Sequence, residues 1–398
     1  MSNRDHKAAA GERPDADPTE RPVHNTNGFR NAVSGIGRGA LRTGDARRDG
    51  SVPAATHPNA NAKALPDRRI NPSGRGGADG RTFGPAGSIR LAGGPRFDTP
   101  VPPGGYAWWY IDAISDDGKH GLTIIAFVGS VFSSWYAQSG RMKPENHVCF
   151  NVALYSPGTN RWAMTERGEE SLTRVADALQ IGPSTMVWDG QSLIIHFTET
   201  CAPLPRKIRG TVRVTPEALA MQCFALDAQG KHRWTPISPR ARVEVKIDEP
   251  ELSWAGSGYV DSNAGDAPLE EGFSQWNWSR AHGKDKTSVI YEGGRRDGSH
   301  FSLALQFDTS GHAVQVAPPP LVRLPKTKWL VPRETRADAG HDVKIIKSWE
   351  DAPFYSRTAL STQLYGERVE SVHESLSLDR LRSPIVRFMV PFRNPRVL

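Results

Sequence analysis

The chain has 398 residues and lacks most of the features that announce a chemistry. It holds three cysteines, Cys149, Cys201 and Cys223, with no CxxC spacing and no even framework. That excludes a disulfide scaffold and fits free, buried thiols in a reducing compartment. The 12 histidines form no HxH or HExxH spacing, which argues against zinc or non-haem iron. There is no GxSxG nucleophile elbow. The glycine-rich stretch Ser34–Gly39 does not lie between a strand and a helix, so phosphate-loop and dinucleotide readings fail. No 18-residue apolar run exists, so no membrane-spanning helix is expected. The first residues have no apolar core, and no signal peptide is expected.

Aromatic residues are missing from the first quarter. All 11 Trp and all 8 Tyr follow Pro103, and residues 1–100 contain only Phe29, Phe83 and Phe97. A segment of Gly, Pro, Ala, Asp and Arg cannot bury enough apolar surface to offset the entropy of ordering. Residues 1–95 therefore read as a disordered tail. Residues 1–100 carry 16 Lys and Arg against 10 Asp and Glu, which is six of the seven net positive charges. The remainder is nearly neutral. The basic balance thus gives little support to a nucleic-acid partner, and none is expected.

What is present after residue 100 is strand pattern. Tyr106–Asp112 and Gly121–Val128 read as a hairpin, and so do Thr185–Trp188 and Gln191–Phe197 around the loop Asp189-Gly190. Strand candidates recur to residue 374, with turns every 8–12 residues. Some sixteen strands are too many for one small barrel. The expectation is an all-β protein of two antiparallel barrel or sandwich halves, residues 100–250 and 251–395, with the boundary near 248–256. Helices are expected only at Glu169–Leu179 and Ser375–Arg382.

Two pairs carry the most chemistry. His232 and Trp234 are spaced i, i+2, and so are Tyr259 and Asp261. Residues so spaced on a strand share a face. If the two faces meet, an apolar wall holds a carboxyl, an imidazole, a phenol and an indole. A carboxyl kept neutral can protonate a C=C bond. An indole face stabilises a cation by about 2 kcal/mol when desolvated, and the His232 imidazole can position or deprotonate the attacking water. Each residue also has an ordinary reading: Asp261 as a turn cap, His232 and Trp234 as a packed strand, Tyr259 as a β-aromatic. Asp112, Asp116 and Asp117 read as solvated residues flanking a hairpin turn. Trp276 and Trp278 share a strand face, either lining a site or packing a core.

Several of these segments resemble a known family. Gly104–Ala113, Ser115–Gly118, Pro144–His147, Asn151–Tyr155, Tyr259–Glu270 and Trp276–Arg280 are similar to the acyclic carotenoid 1,2-hydratases, also called hydroxyneurosporene synthases. The likeness runs over about residues 100–395 and leaves out the tail. It implies a lipocalin-like β-fold in two halves. It implies cofactor-free addition of water across the terminal C1=C2 bond of lycopene or neurosporene. It also places the acid on Asp261, with His232, Trp234 and Tyr259 around it. An acyclic carotenoid partner further implies peripheral contact with the cytoplasmic side of a membrane, for which exposed apolar strand ends or Ser375–Leu398, with its run Ile385–Phe392, are the candidates. A carrier that binds an isoprenoid without chemistry shares the fold but has no need of Asp261.

Overall fold

Where β-branched and aromatic residues alternate with polar ones, this chain forms antiparallel strands. The computed structural model describes residues 93–397, so the expected tail lies outside the described residues except for its last three. All described residues belong to one compact unit.

The first sheet is built from β1 (Tyr106–Ser115), β2 (Gly121–Val128), β3 (Val148–Tyr155), β4 (Arg161–Arg167), β5 (Leu172–Arg174), β6 (Ala178–Ile181), β7 (Ser184–Trp188), β8 (Leu193–Thr200), β9 (Lys207–Pro216), β10 (Phe224–Ala225), β11 (His232–Glu249) and β12 (Leu252–Gly265). Its strand order is β4-β3-β2-β1-β12-β11-β9-β8-β7-β6-β5, with β10 on β11. The sheet curls until Ala163 of β4 bridges Cys201 beside β8. Inside the curl lie Trp109, Ile111, Phe150, Phe197 and Val260, all at most 2% exposed. Both expected hairpins form. In the second, Asp189 accepts from the N–H groups of Gln191 and Ser192, and Gly190 takes φ +95°.

The second sheet uses β13 (Phe273–His282), β14 (Thr287–Arg295), β15 (His300–Phe307) and β16 (Ala313–Gln315), then β19 (Lys344–Asp351), β20 (Tyr355–Leu364) and β21 (Glu367–Ser377), in the order β16-β15-β14-β13-β21-β20-β19. Between them, β17 (Leu321–Leu324) and β18 (Arg333–Arg336) form a separate hairpin. Four short helices complete the described chain: α1 (Ser134–Gln138), α2 (Leu269–Gly272), α3 (Leu378–Arg382) and α4 (Pro384–Arg393). None of them is long and apolar enough to cross a membrane. An aromatic layer between the two sheets joins Tyr106, Trp108, Trp234 and Tyr259 of the first to Trp276, Trp278 and Tyr291 of the second.

The all-β expectation holds, with corrections in detail. The second sheet begins only at Phe273, because β12 inserts between β1 and β11 of the first. The seam between sheets thus follows Gly265 rather than residue 250. Glu169–Leu179 is not a helix. It is a 3₁₀ turn, Glu169–Ser171, followed by β5 and β6. Leu179 and Ile181, two apart, both enter the first core, and that is the period of a strand. Ser375–Arg382 divides, with Ser375–Ser377 ending β21 and only Leu378–Arg382 helical. The helix α4 was not expected. Ser383 caps it by accepting from the Val386 N–H, and Pro384 opens it.

Candidate active site

Strand alternation delivers the acid. In β12, Val260 turns into the barrel core while Tyr259 and Asp261 turn toward the second sheet. On the neighbouring strand Pro236 stands opposite Asp261, and the register slips between Pro236 and Ser238. Proline has no N–H for the ladder, so the strand bulges there.

Asp261 is 4% exposed. Its Oδ2 accepts from Trp234 Nε1 at 2.8 Å and from the Tyr259 hydroxyl at 2.9 Å. Among the described residues its Oδ1 has no hydrogen-bond partner. Burial pushes this carboxyl up to about 8, overriding the two donors, and the charges of Glu374 and Asp112 add to the rise. The group is therefore neutral at neutral pH. With two donors on Oδ2, the acid proton belongs on Oδ1. Aromatic rings close around it: Trp278 lies 5.1 Å from Tyr259 and 5.5 Å from Tyr110, and Tyr291 lies 5.5 Å from Trp234.

The two pairs from the sequence thus meet in part. Trp234, Tyr259 and Asp261 share hydrogen bonds. His232 stands further along β11, opposite Gly265. Its Nδ1 is bonded to the Tyr106 hydroxyl at 2.8 Å. A Cβ on Gly272 would come within 2.6 Å of its Nε2, so that nitrogen is hemmed in by backbone. Burial lowers the pKa of His232 and keeps it neutral.

A cavity of about 330 Å³ opens in the same inter-sheet layer, over β1 to β4. Its walls include Trp108, Tyr110, Phe127, Trp162, Trp276 and Tyr355, with Val386, Met389 and Val390 of α4. Asp261 and Trp234 are not among the walls. Asp261 lies across β1, directly opposite Tyr110 on the neighbouring strand. Of the two tryptophans of β13, Trp276 lines the cavity while Trp278 packs between Tyr110 and Tyr259.

Beneath the cavity is a buried ionic cluster. Asp112, 0% exposed, receives Arg280 Nε at 3.1 and 3.0 Å and Arg357 at 3.4 Å. Burial alone would raise its pKa, but the two guanidinium groups bring it below the usual carboxylate range. Asp112 is thus not the solvated turn residue expected; Asp116 and Asp117 are, paired with Arg242 and Lys119. Glu374 accepts from the Tyr110 hydroxyl at 2.7 Å and pairs with Arg357. Glu350, also in the cavity wall, accepts from the Tyr155 hydroxyl at 2.8 Å, and burial raises its pKa. The sequence held a signal for two of these residues. Asp112 alternates inward with Trp108 and Tyr110, and Glu374 alternates inward with Val372 and Leu376.

A curled β-sheet against a second sheet, a largely apolar cavity and a neutral carboxyl in an aromatic layer define a β-protein equipped to bind an apolar molecule and to donate a proton. The chain belongs to the carotenoid hydratase CrtC family, whose model matches residues 124–398. It is 46% identical over 386 residues to the acyclic carotenoid 1,2-hydratase of Thiocapsa roseopersicina, covering 96% of this chain and 95% of that one. It is 46% identical over 387 residues to the enzyme of the same name from Rubrivivax gelatinosus, again 96% and 95%. With that of Cereibacter sphaeroides it shares 42% over 274 residues, 69% of this chain and 98% of the other.

Proposed function

We propose that this protein adds water across the terminal C1=C2 bond of an acyclic carotenoid such as lycopene or neurosporene, giving a tertiary 1-hydroxy product. The observation that carries the reading is the Asp261 carboxyl: neutral, buried, and with its Oδ1 free of polar partners. Such a group can give its proton to a carbon base. Protonation at C2 puts the positive charge on tertiary C1. The faces of Trp234 and Tyr259 then stabilise it in a desolvated setting. Water captures the cation at C1. Oδ2, held by Trp234 and Tyr259, stabilises the carboxylate left behind. His232 supports this layer by holding the Tyr106 ring.

The cavity takes one end of the rod-like hydrocarbon. Its volume falls within the roughly 300–1,000 Å³ of small-ligand pockets. To meet Asp261, the end group must pass Tyr110 and Trp278. The remainder of the substrate stays in a membrane, which the protein contacts peripherally. The outer side of α4 supports that contact, with Ile385, Phe388 and Phe392 exposed at 74, 73 and 62%, while Val386 and Val390 line the cavity beneath.

The test is incubation of the purified protein with lycopene in isotopically labelled water without added cofactor. Mass spectrometry is expected to find the label in a tertiary alcohol. Because Asp261 lies outside the cavity walls, a carrier that binds the carotenoid without chemistry is the second reading. Lycopene bound but never hydrated would establish it.

A further inference from the structure

Hydration needs a base as well as an acid. The water that attacks C1 must lose a proton; Asp261, a carboxylate once it has protonated C2, takes it only from water on its own side of Tyr110, whereas the cavity lies on the other side. His232 is engaged with Tyr106 and hemmed in by Gly272. The cavity wall offers other carboxyl groups, and Glu374 is the one placed next to the acid. It faces Trp278 across the β13–β21 pairing. It accepts from the hydroxyl of Tyr110, the residue directly opposite Asp261. Arg357 holds it as an ion pair and is itself only 1% exposed. Glu350, by contrast, is tied to Tyr155 over β3, two strands from β1 and on its far side from Asp261.

Resting on the hydratase reading above, we propose that Glu374 is the general base of the reaction: its carboxylate binds the attacking water in the cavity and takes its proton as the C–O bond forms. Acid and base then flank the end group from the two sides of Tyr110. The step balances. Asp261 gives one proton to C2, water gives its oxygen and one hydrogen to C1, and the second hydrogen goes to Glu374. A net proton return from Glu374 to Asp261 through water restores both groups, and no electrons are exchanged. A carboxylic acid and a carboxylate set apart by their surroundings are a general arrangement for paired acid and base work.

The experiment uses the full chain, lycopene and heavy water. With Glu374→Gln the amide still accepts from Tyr110 but no longer takes a proton. Alcohol formation is expected to fall by about 100-fold or more. Asp261 still protonates C2, and the uncaptured cation returns its proton, so recovered lycopene carries deuterium. Asp261→Asn is expected to give neither alcohol nor deuterated lycopene. The proposal is overturned if folded Glu374→Gln makes alcohol within a few-fold of wild type. It is equally overturned if that variant loses alcohol and deuterium entry together, since a structural role would remove both. Should the Gln variant fail to fold, Glu374→Asp decides. Slowed alcohol with undiminished deuterium entry supports the base, and equal slowing of both overturns it. A wild type that forms no alcohol at all would instead remove the hydratase reading.

Discussion

Asp112 and Asp261 lie on adjacent strands, turn the same way, and are 0% and 4% exposed, yet their chemistry is opposite. Asp112 meets Arg280 and Arg357 from the second sheet and stays ionised. Asp261 meets an indole N–H and a phenol, two neutral donors, and stays protonated. The first sheet supplies both carboxyl groups on equal terms. Arg280 and Arg357 reach Asp112 across the layer, while the donors to Asp261 come from its own sheet; the presence or absence of a counter-ion decides which one is a structural anion and which one is an acid. Burying a charge without a counter-ion costs several kcal/mol, so an unpaired carboxyl keeps its proton.

The strongest way to break the comparison is Asp261→Asn. It keeps shape and the two donors' acceptor but removes the proton. Hydration of lycopene is expected to fall by about 10²–10⁴-fold while the protein stays folded, measured by product chromatography and a thermal melt. Activity near wild type would sink the acid assignment. The same change at the other carboxyl should act on the fold. Asp112→Asn leaves two guanidinium groups short of a buried counter-charge. Its expected cost is roughly 3–5 kcal/mol, read as a lowered urea midpoint. A midpoint shift under about 1 kcal/mol would show that Glu374 alone neutralises the cluster.

Much of this contrast was legible in the sequence, and the limit has a physical cause. Period-two alternation showed the strands, the paired faces and Asp261 beside Tyr259. It also carried Asp112 inward, but the turn residues Asp116 and Asp117 close behind masked it. The partners that define Asp112 come from far along the chain, Arg280 on β13 and Arg357 on β20. No local pattern forecasts such pairing. His232 was assigned to the right face, since i and i+2 alternate together. Its distance from Asp261 depends on register, which places it opposite Gly265. The α4 helix was obscured by β-prone Ile and Val and by Pro391 inside it.

A third, smaller effect separates the two carboxyl groups by pH. The folded-state pKa of Asp261, about 8, lies above its ordinary 3.8. Its contribution to stability is therefore fully present below the ordinary value and is lost as pH rises through about 8. Wild type is expected to lose stability relative to Asp261→Asn over that window, with the difference level above it. Activity should fall above pH of about 8 as the acid ionises. Asp112 has a depressed pKa, so its contribution is present above the ordinary value and lost only in acid. Melting curves from acid to alkaline pH check both. A stability difference independent of pH would mean that Asp261 is ionised in the fold.

The finest test alters one donor. Trp234 Nε1–H favours the ionised form of Asp261, in opposition to burial. Trp234→Phe removes that donor and keeps an aromatic face. The carboxyl should then hold its proton to higher pH, and the alkaline limb of the activity profile should move upward. The rate below that limb should fall only about threefold to thirtyfold, the share of cation stabilisation that an indole adds. The two effects have opposite signs above pH of about 8, where a better-protonated acid offsets a less stabilised cation. A limb that moves downward would mean that Trp234 acts chiefly by excluding water, not by donating to Oδ2. The absence of any such shift in Asp112→Glu would tie the effect to the unpaired carboxyl alone.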